Sequence, residues 1–226
     1  MRYPWPIILA LVATTAIVVV ITVQLIQPYA FYASRPNSTV SVLTGTGFDF
    51  ETTAKSVQIT ASMTVDVIYA NFSWVVALLS PTSADFSFTA NSWTYALVSD
   101  PSGKYIKVTD PYGTCYAVGA TPNTVTVAGT TWYLFVPNMT SVTPTGTSLT
   151  GCTILTKFTF DTTNKVWGAY DQNNNPITIN NFQATSVTST SFSTNWVYGQ
   201  GGYVAQPFWL IYVYPYASGT VQFKLS

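Results

Sequence analysis

Residues 57–69 alternate between apolar and polar side chains with a period of two. The apolar set takes every second position and the polar set lies between: Val57, Ile59, Ala61, Met63, Val65, Val67 and Tyr69 against Gln58, Thr60, Ser62, Thr64 and Asp66. Because successive side chains of a strand point to opposite faces of its sheet, this pattern predicts a long strand with one buried face. The alternation changes phase near Ala70–Asn71, which indicates a bulge or turn there.

Turn sequences separate further segments of β character. Asp100-Pro101-Ser102-Gly103 has Asp, Pro and Gly at the positions that a type I turn favours, and Asp110-Pro111-Tyr112-Gly113 repeats the arrangement. The predicted hairpins and late strands are Trp93–Ser99 with Lys104–Thr109, Val125–Val127 with Thr131–Val136, Thr153–Phe160 with Lys165–Tyr170, and finally Pro207–Tyr214 and Gly219–Leu225. Strands at this spacing, with no long amphipathic helix after residue 33, predict an all-β fold, a single β-sandwich of the jelly-roll or immunoglobulin-like class.

The N-terminal segment has a different composition. Ile7–Ile26 is a run of 20 residues without a charge, long enough to cross a bilayer as a helix, and Arg2 is the one charge before it. Residues 1–33 are therefore predicted to be a hydrophobic helix that serves as a signal peptide or a membrane anchor, so that the body of the chain is exported. Cleavage would fall after Ala30 or Ala33, neither of which has a small residue at the −3 position. Residues 34–45 follow as an extended segment, and 46–226 form the sandwich domain.

Charge is scarce in this sequence. Its 8 basic and 8 acidic residues make up 7% of the chain, against about 25% in typical soluble domains, and there is no histidine. Since the charges are scattered and sum to zero, there is no basic patch to follow a phosphate backbone, and no nucleic-acid partner is predicted. The missing histidine excludes Ser-His-Asp and Cys-His catalysis. We therefore predict a protein that is not an enzyme and binds no cofactor, with a secreted acid hydrolase that uses aspartates as the least favoured alternative.

Two local motifs approach enzyme or metal chemistry without completing it. Phe160-Asp161-Thr162-Thr163 lacks the glycine and the second copy that an acid-protease motif requires. The segment beginning at Asp171 has oxygen-bearing residues at positions 1, 3 and 5 of a calcium loop, but Pro176 replaces the required glycine and Phe182 the final glutamate. Both motifs are predicted to be polar turns, and no metal site is predicted.

Covalent features of an exported protein are also present. Cys115 and Cys152 are the only cysteines, and an even count in an exported chain predicts a disulfide. The bond would stabilise the fold by about 4 kcal/mol by restricting the unfolded chain. Three N-x-S/T sequons begin at Asn37, Asn71 and Asn138. N-linked glycans at these positions would supply hydration that charged side chains do not.

The export segment, the all-β body, the abundance of Thr, Ser, Tyr and Asn, and the scarcity of charge together resemble the subunits of thread-type extracellular filaments of thermoacidophilic archaea. In that family, the N-terminal segment of one subunit completes the sandwich of its neighbour by donor-strand complementation. The resemblance implies a homopolymer on the cell surface. It also places the donor strand at Thr39, Val40, Ser41, Val42 and Leu43, where pairing with another chain would satisfy an open sheet edge.

An acidic exterior would suit this composition. Acid denaturation largely reflects carboxylates that are paired in the native state and histidines that must take up protons, and the chain is poor in both. The bonds Asp100–Pro101 and Asp110–Pro111 are an opposing feature, because Asp–Pro bonds are prone to cleavage in hot acid.

Other extracellular roles stay open. The chain could be a monomeric surface domain or a viral envelope domain held in the membrane by residues 7–26. It could also be a type IV pilin-like subunit, although Pro4-Trp5-Pro6 lies where such precursors carry a basic and a small residue. An uncleaved helix would tether each subunit and hinder polymerisation by strand donation.

Overall fold

The computed structural model describes residues 37–127, 129–139, 143–178 and 182–226, excepting the side chains of residues 71–74, 127 and 178. The predicted signal or anchor helix lies outside the described residues. Most of the described chain is in strands, with one short 3-10 turn at Gln200–Gly202 and no α-helix. The prediction of an all-β protein is confirmed.

The strands are numbered in chain order. The first eight are β1 (Asn37–Val42), β2 (Phe48–Thr52), β3 (Ser56–Ser80), β4 (Phe86–Ala90), β5 (Trp93–Asp100), β6 (Gly103–Thr109), β7 (Cys115–Val127) and β8 (Thr130–Asn138). The remaining seven are β9 (Thr153–Asp161), β10 (Val166–Asp171), β11 (Pro176–Thr178), β12 (Phe182–Ser193), β13 (Val197–Tyr198), β14 (Val204–Pro215) and β15 (Gly219–Leu225).

Within the described residues, these strands join into one sheet. Its main path runs β1-β15-β3-β8-β7-β6-β5-β4, and β12 and β14 also pair with β3. The outer strands β2 and β13 pair with β14, while β9, β10 and β11 extend from β7. The β7–β9 pair is parallel and the other pairs are antiparallel.

The hairpins expected from turn sequences are present. β5 and β6 pair up to Asp100 and Gly103, which leaves Pro101 and Ser102 as the turn residues. The predicted pairings of β7 with β8 and of β9 with β10 are also confirmed. At the second Asp-Pro turn, the Gly113 N–H donates to the Asp110 carbonyl at 3.1 Å, as a β-turn requires.

β3 bends sharply after its first five residues. Its pairing with β12 advances from Thr60 to Val65 while β12 moves only from Ser189 to Val187, so residues 61–64 form an irregularity. Phe192, which pairs with Val57, stacks on Tyr69 with ring centroids 3.8 Å apart. A straight strand would separate positions 57 and 69 by about 40 Å. The two halves of β3 therefore face each other.

This bend buries β14 on both faces. On one side, Trp209 contacts Phe192 of β12, with ring centroids 4.8 Å apart; β12 pairs there with the first residues of β3. On the other side, Tyr212 stacks on Phe160 of β9 with ring centroids 3.8 Å apart. Eleven of the twelve residues of β14 are buried. A strand covered on both faces reads as a continuous apolar run, and this explains the sequence of residues 207–214.

The main hydrophobic cluster packs buried side chains of the β3–β14 pair against those of strands β4 to β10. Trp167 of β10 enters it and donates its indole N–H to the Ile68 carbonyl at 3.3 Å. Its other buried members include Leu97, Ile106, Val118, Phe135 and Leu155. Dense apolar burial of this kind is the main stabilising contribution in a fold with few charges.

Candidate functional site

The predicted donor strand lies at one end of the main strand path. Thr39, Val40, Ser41 and Val42 belong to β1, and within the described residues β15 is the strand with which β1 pairs. The register places Val40 opposite Val221 and Val42 opposite Gly219 of the same chain. Leu43, the fifth predicted residue, follows the strand with 66% of its surface exposed. The predicted boundary between the extended segment (34–45) and the sandwich domain (46–226) therefore leaves β1 outside a sheet to which it belongs.

β1 is held more by its backbone than by its side chains. Val42 is its one buried residue, Val40 and Ser38 are half-buried, and the other three are exposed. By contrast, the apolar side chains of β15 are deeply buried, with Val221 0% and Phe223 2% exposed. Phe223 contacts Phe50 of β2 with ring centroids 4.7 Å apart. The buried side chains of β15 thus hold it in the core, while β1 pairs along its outer edge.

A tight turn joins β1 to β2. The Thr46 N–H donates to the Leu43 carbonyl at 3.1 Å, and the Gly45 N–H donates to the Pro215 carbonyl at 2.9 Å. Gly45 has φ of +72°, a left-handed conformation that glycine adopts at little cost. Thr44 is attached to the β14–β15 connection through a 3.1 Å hydrogen bond from its N–H to the Ser218 hydroxyl. These bonds hold the turn against the β14–β15 connection.

The solvent face of β1, β15 and the first part of β3 carries a shallow polar groove of about 440 Å³. Its lining is almost entirely hydroxyl and amide groups with one ammonium: Asn37, Ser38, Thr39, Gln58, Thr60, Gln222, Phe223 and Lys224. The Ser38 hydroxyl is buried and has no hydrogen-bond partner. The groove offers hydrogen bonds but, within its lining, neither a carboxylate nor a thiol for covalent or acid–base chemistry.

The three sequons occupy different environments. Asn37 is exposed at the rim of the polar groove. Asn138 ends β8, and its side-chain amide donates to the Thr121 hydroxyl at 2.7 Å. Asn71 lies within β3, and its side chain is outside the described set. The sequon residue Thr140 also lies outside the described residues. N-glycosylation stays a prediction at all three positions, and of the two whose side chains are described, Asn37 is the more exposed.

The two cysteines form the predicted disulfide. Cys115 begins β7 and Cys152 immediately precedes β9, and their Cα atoms are 4.5 Å apart. Cys152 packs in a small cluster with Tyr105, Leu149 and Ile154. The bond therefore joins the starts of two parallel neighbouring strands and anchors the segment that precedes β9. A disulfide is consistent with an oxidising compartment.

Six of the eight carboxylates accept hydrogen bonds within turns or between strands. The six are Asp66, Asp85, Asp100, Asp110, Asp161 and Asp171. At Asp161 and Asp171 the carboxylate accepts hydrogen bonds from backbone N–H groups two to four residues later. These bonds lower the pKa of both aspartates. The near-miss protease and calcium motifs are thus the polar turns that the sequence predicts.

Asp100 has the most extensive set of donors. Oδ1 accepts from the Ser102 N–H at 2.9 Å, the Ser102 hydroxyl at 2.6 Å and the Thr145 N–H at 3.0 Å, while Oδ2 accepts from the Gly146 N–H at 2.6 Å. Burial alone would raise the pKa of Asp100, but the bonds from Ser102, Thr145 and Gly146 outweigh it and hold the pKa well below its ordinary value.

Sequence reasoning did not anticipate a polar cluster around Asp66. Its carboxylate accepts from Lys165 at 2.7 Å, from the Tyr216 hydroxyl at 2.7 Å and from the Ser186 hydroxyl at 2.6 Å. Lys165 also lies over the rings of Tyr214 and Tyr216, at 5.6 and 5.9 Å from their centroids. Burial raises the pKa of Asp66, but the bonds from Lys165, Ser186 and Tyr216 lower it by more. The net result is a pKa below the ordinary value. The cluster ties the β9–β10 turn and the β14–β15 turn to β3 and β12.

Glu51 differs from the other carboxylates. It lies on β2, and burial, followed by the nearby negative charge of Asp49, raises the pKa of Glu51 to about 7. A carboxyl group with this pKa is protonated in acid and becomes charged near neutrality. No described residue joins it in a group of three or more His, Cys, Asp or Glu side chains that could hold a metal ion.

No helix long and apolar enough to cross a bilayer occurs among the described residues. Comparisons with protein-family models, with curated proteins and with solved structures found no match.

Proposed function

We propose that the protein is a structural subunit of an extracellular, cell-surface filament and that its copies join by exchanging β1. The edge position of β1 is the observation that carries this proposal. The strand is N-terminal, it is covered lightly, and it lies on a partner strand whose apolar side chains are already buried beneath it. If β1 of one subunit replaced β1 of the next, the same backbone hydrogen bonds would form between chains instead of within one.

The folded sheet supports a sandwich architecture for this subunit. Opposite faces of the β3–β14 pair contact the folded-back strands on one side and β9–β10 on the other. In our proposal these are stacked layers of a β-sandwich, and β1 with β15 lies in an outer layer. Exchange of an outer strand leaves the central layer intact, so a subunit could assemble without losing its main core.

The surface chemistry favours a structural role over catalysis. Engaged aspartates rigidify turns, and the groove beside β1 is lined by groups that bind water or other polar surfaces. We propose that N-linked glycans at Asn37 and Asn138 add to this hydration outside the cell, where the disulfide would persist.

Cross-linking between two different single-cysteine variants tests the exchange. Thr39 and Gln222 are exposed partners in the β1–β15 register. One preparation carries Thr39→Cys and the other Gln222→Cys, both with the native disulfide intact. After mixing under assembly conditions and mild oxidation, we expect a disulfide-linked dimer that contains one chain of each variant.

A matched pair from an internal hairpin provides the control. Thr94 and Thr109 are partners across β5 and β6, which have neighbours on both sides. A mixture of Thr94→Cys and Thr109→Cys should give no mixed dimer above background. If the Thr39 and Gln222 variants behave like this control while the double variant Thr39→Cys/Gln222→Cys closes within one chain, β1 is not exchanged.

A second candidate follows from the same strand. In the single chain β1 already pairs with its own β15, so the domain has no gap at this edge. This observation favours a self-contained surface domain tethered by residues 7–26. Closure within one chain in the cross-linking experiment, together with monomers at high concentration, would support this alternative over the filament.

A further inference from the structure

The two Asp–Pro bonds occupy similar turns but different surroundings. Asp100–Pro101 ends β5, and Asp110–Pro111 follows β6 ten residues later. In acid such a bond breaks because the proline nitrogen is more basic than other amide nitrogens and the aspartate side chain lies close to its own carbonyl carbon. The local sequence alone gives the two bonds equal reason to break.

At Asp100, donors arrive from a second segment of the chain. The Thr145 and Gly146 N–H groups bind Oδ1 and Oδ2 at 3.0 and 2.6 Å, and Ser102 adds two further bonds. Asp100 is 8% exposed. A methyl group at position 146 would lie 2.5 Å from Oδ2, so glycine is required for this close approach. Both carboxylate oxygens are thus held in a buried position.

At Asp110, the donors belong to its own turn. Oδ1 accepts from the Tyr112 and Thr114 N–H groups, each at 2.8 Å. Pro111 is exposed, and Tyr112 is 93% exposed. These hydrogen bonds are lost whenever this short turn opens, whereas release of Asp100 also requires its separation from residues 145 and 146.

We propose that the backbone of Thr145 and Gly146 protects the Asp100–Pro101 bond from acid, and that Asp110–Pro111 is the bond at which the folded protein is cut. In the reaction, a carboxylate oxygen attacks the main-chain carbonyl carbon of the same aspartate and forms a cyclic anhydride. The carbon–nitrogen bond to proline breaks, and the nitrogen leaves as a secondary amine with a proton from the acid. Water then opens the anhydride and leaves a C-terminal aspartate.

The attacking oxygen must leave its hydrogen-bond donors before it can reach the carbonyl carbon. Loss of a single hydrogen bond to a charged group slows this step by about tenfold or more. Because Asp100 has buried donors on both oxygens, we expect its scission to be at least about tenfold slower than that at Asp110 in the folded protein.

Mass spectrometry of the full-length protein tests the proposal. The protein is incubated at about pH 2, below its unfolding temperature, and also in acidic denaturant. Both cysteines lie after residue 111, so a cut after either aspartate releases separable fragments without reduction. We expect cleavage after Asp110 in the folded protein and comparable cleavage after both aspartates in denaturant. Equal rates in the folded protein would overturn the proposal.

Gly146→Ala provides the decisive variant. Its added methyl group displaces the Asp100 carboxylate, so cleavage after Asp100 should rise about tenfold while cleavage after Asp110 stays unchanged. Ser148→Ala changes an exposed side chain in the same segment and should leave both rates unaltered. A folded Gly146→Ala protein with unchanged cleavage after Asp100 would contradict the proposal.

A milder variant serves if Gly146→Ala does not fold. Ser102→Ala removes the 2.6 Å hydroxyl bond to Oδ1 and keeps the backbone donors. Its cleavage after Asp100 should rise several-fold, in proportion to the loss of one donor. No increase in this folded variant would contradict the premise that each donor to the Asp100 carboxylate slows its attack, on which the protection by Thr145 and Gly146 rests.

Discussion

Lys165 donates a 2.7 Å hydrogen bond to Asp66, across 99 positions of sequence. The Asp66 side chain is 13% exposed and that of Lys165 is 49% exposed. The same carboxylate also accepts from Ser186 and Tyr216. The pair therefore belongs to a polar cluster that attaches the β9–β10 and β14–β15 turns to β3 and β12.

Asp66→Asn should destabilise the protein more than Lys165→Met. The first change removes the charge that three donors share and should cost about 2 kcal/mol, whereas a half-exposed ion pair contributes at most about 1 kcal/mol. The pKa of Asp66 is lowered in the folded state, so its contribution is present above about pH 4 and is lost as the pH falls through the folded pKa. Urea denaturation at pH 6 and pH 2 measures both effects. Equal losses at the two pH values would contradict this account.

Glu51→Gln should stabilise the protein at pH 8 and not at pH 4. The pKa of Glu51 is raised to about 7 in the folded state, so folding takes up a proton between about pH 4.5 and 7 and stability falls as the pH rises through that window. Removal of the charge should recover on the order of 3 kcal/mol at pH 8. Thermal unfolding across this range provides the measurement.

Asp49→Asn is the matched control for Glu51. Asp49 lies two residues away on β2, is exposed, and raises the pKa of Glu51 through its charge. This variant should shift the pH dependence slightly downward without removing it. A Glu51→Gln protein with the same pH profile as the parent would show that Glu51 does not titrate in this range.

Much of the strand pattern follows from local sequence, but the bend of β3 does not. The alternation from Val57 to Tyr69 continues in phase through Met63, so nothing in the sequence marks the irregularity at 61–64. The bend depends on the contact of Phe192 with Tyr69, which joins residues more than 120 positions apart. The burial of β14 on both faces had a local signal, because residues 207–214 are a nearly unbroken apolar run.

The same division applies to the polar groups. The Asp100 turn is predictable from Asp, Pro and Gly at fixed positions, and the disulfide from an even count of cysteines. The donors at Thr145 and Gly146 and the partners of Asp66 come from distant segments, so no local pattern reveals them. The long-range hydrogen bonds of this chain could therefore not be predicted from its sequence.

Removal of the disulfide should destabilise the fold without changing its strand content. Cys115→Ser/Cys152→Ser frees a loop with a sequence separation of 37 residues and should cost about 4 kcal/mol. Thermal unfolding should then occur about 10 °C lower. Reductant should reproduce the decrease in the parent and have no effect on the double variant. An unchanged unfolding temperature would show that the contacts of Leu149 and Ile154 hold this region without the bond.

Two buried tryptophans test whether the β3–β14 pair is covered on both faces. Trp209 donates to the Ala54 carbonyl at 2.8 Å on one face, and Trp167 donates to the Ile68 carbonyl at 3.3 Å on the other. Trp209→Phe and Trp167→Phe each remove an indole donor to a carbonyl and leave a small cavity, so each should cost about 2–4 kcal/mol.

The shorter hydrogen bond predicts the larger loss for Trp209→Phe. Because the two side chains lie on opposite faces, the losses should add in the double variant to within about 0.5 kcal/mol. Urea denaturation followed by far-UV circular dichroism measures all three proteins. If either single substitution had no effect on stability, the face on which that tryptophan lies would be open to solvent, and the arrangement of stacked layers would be wrong on that side.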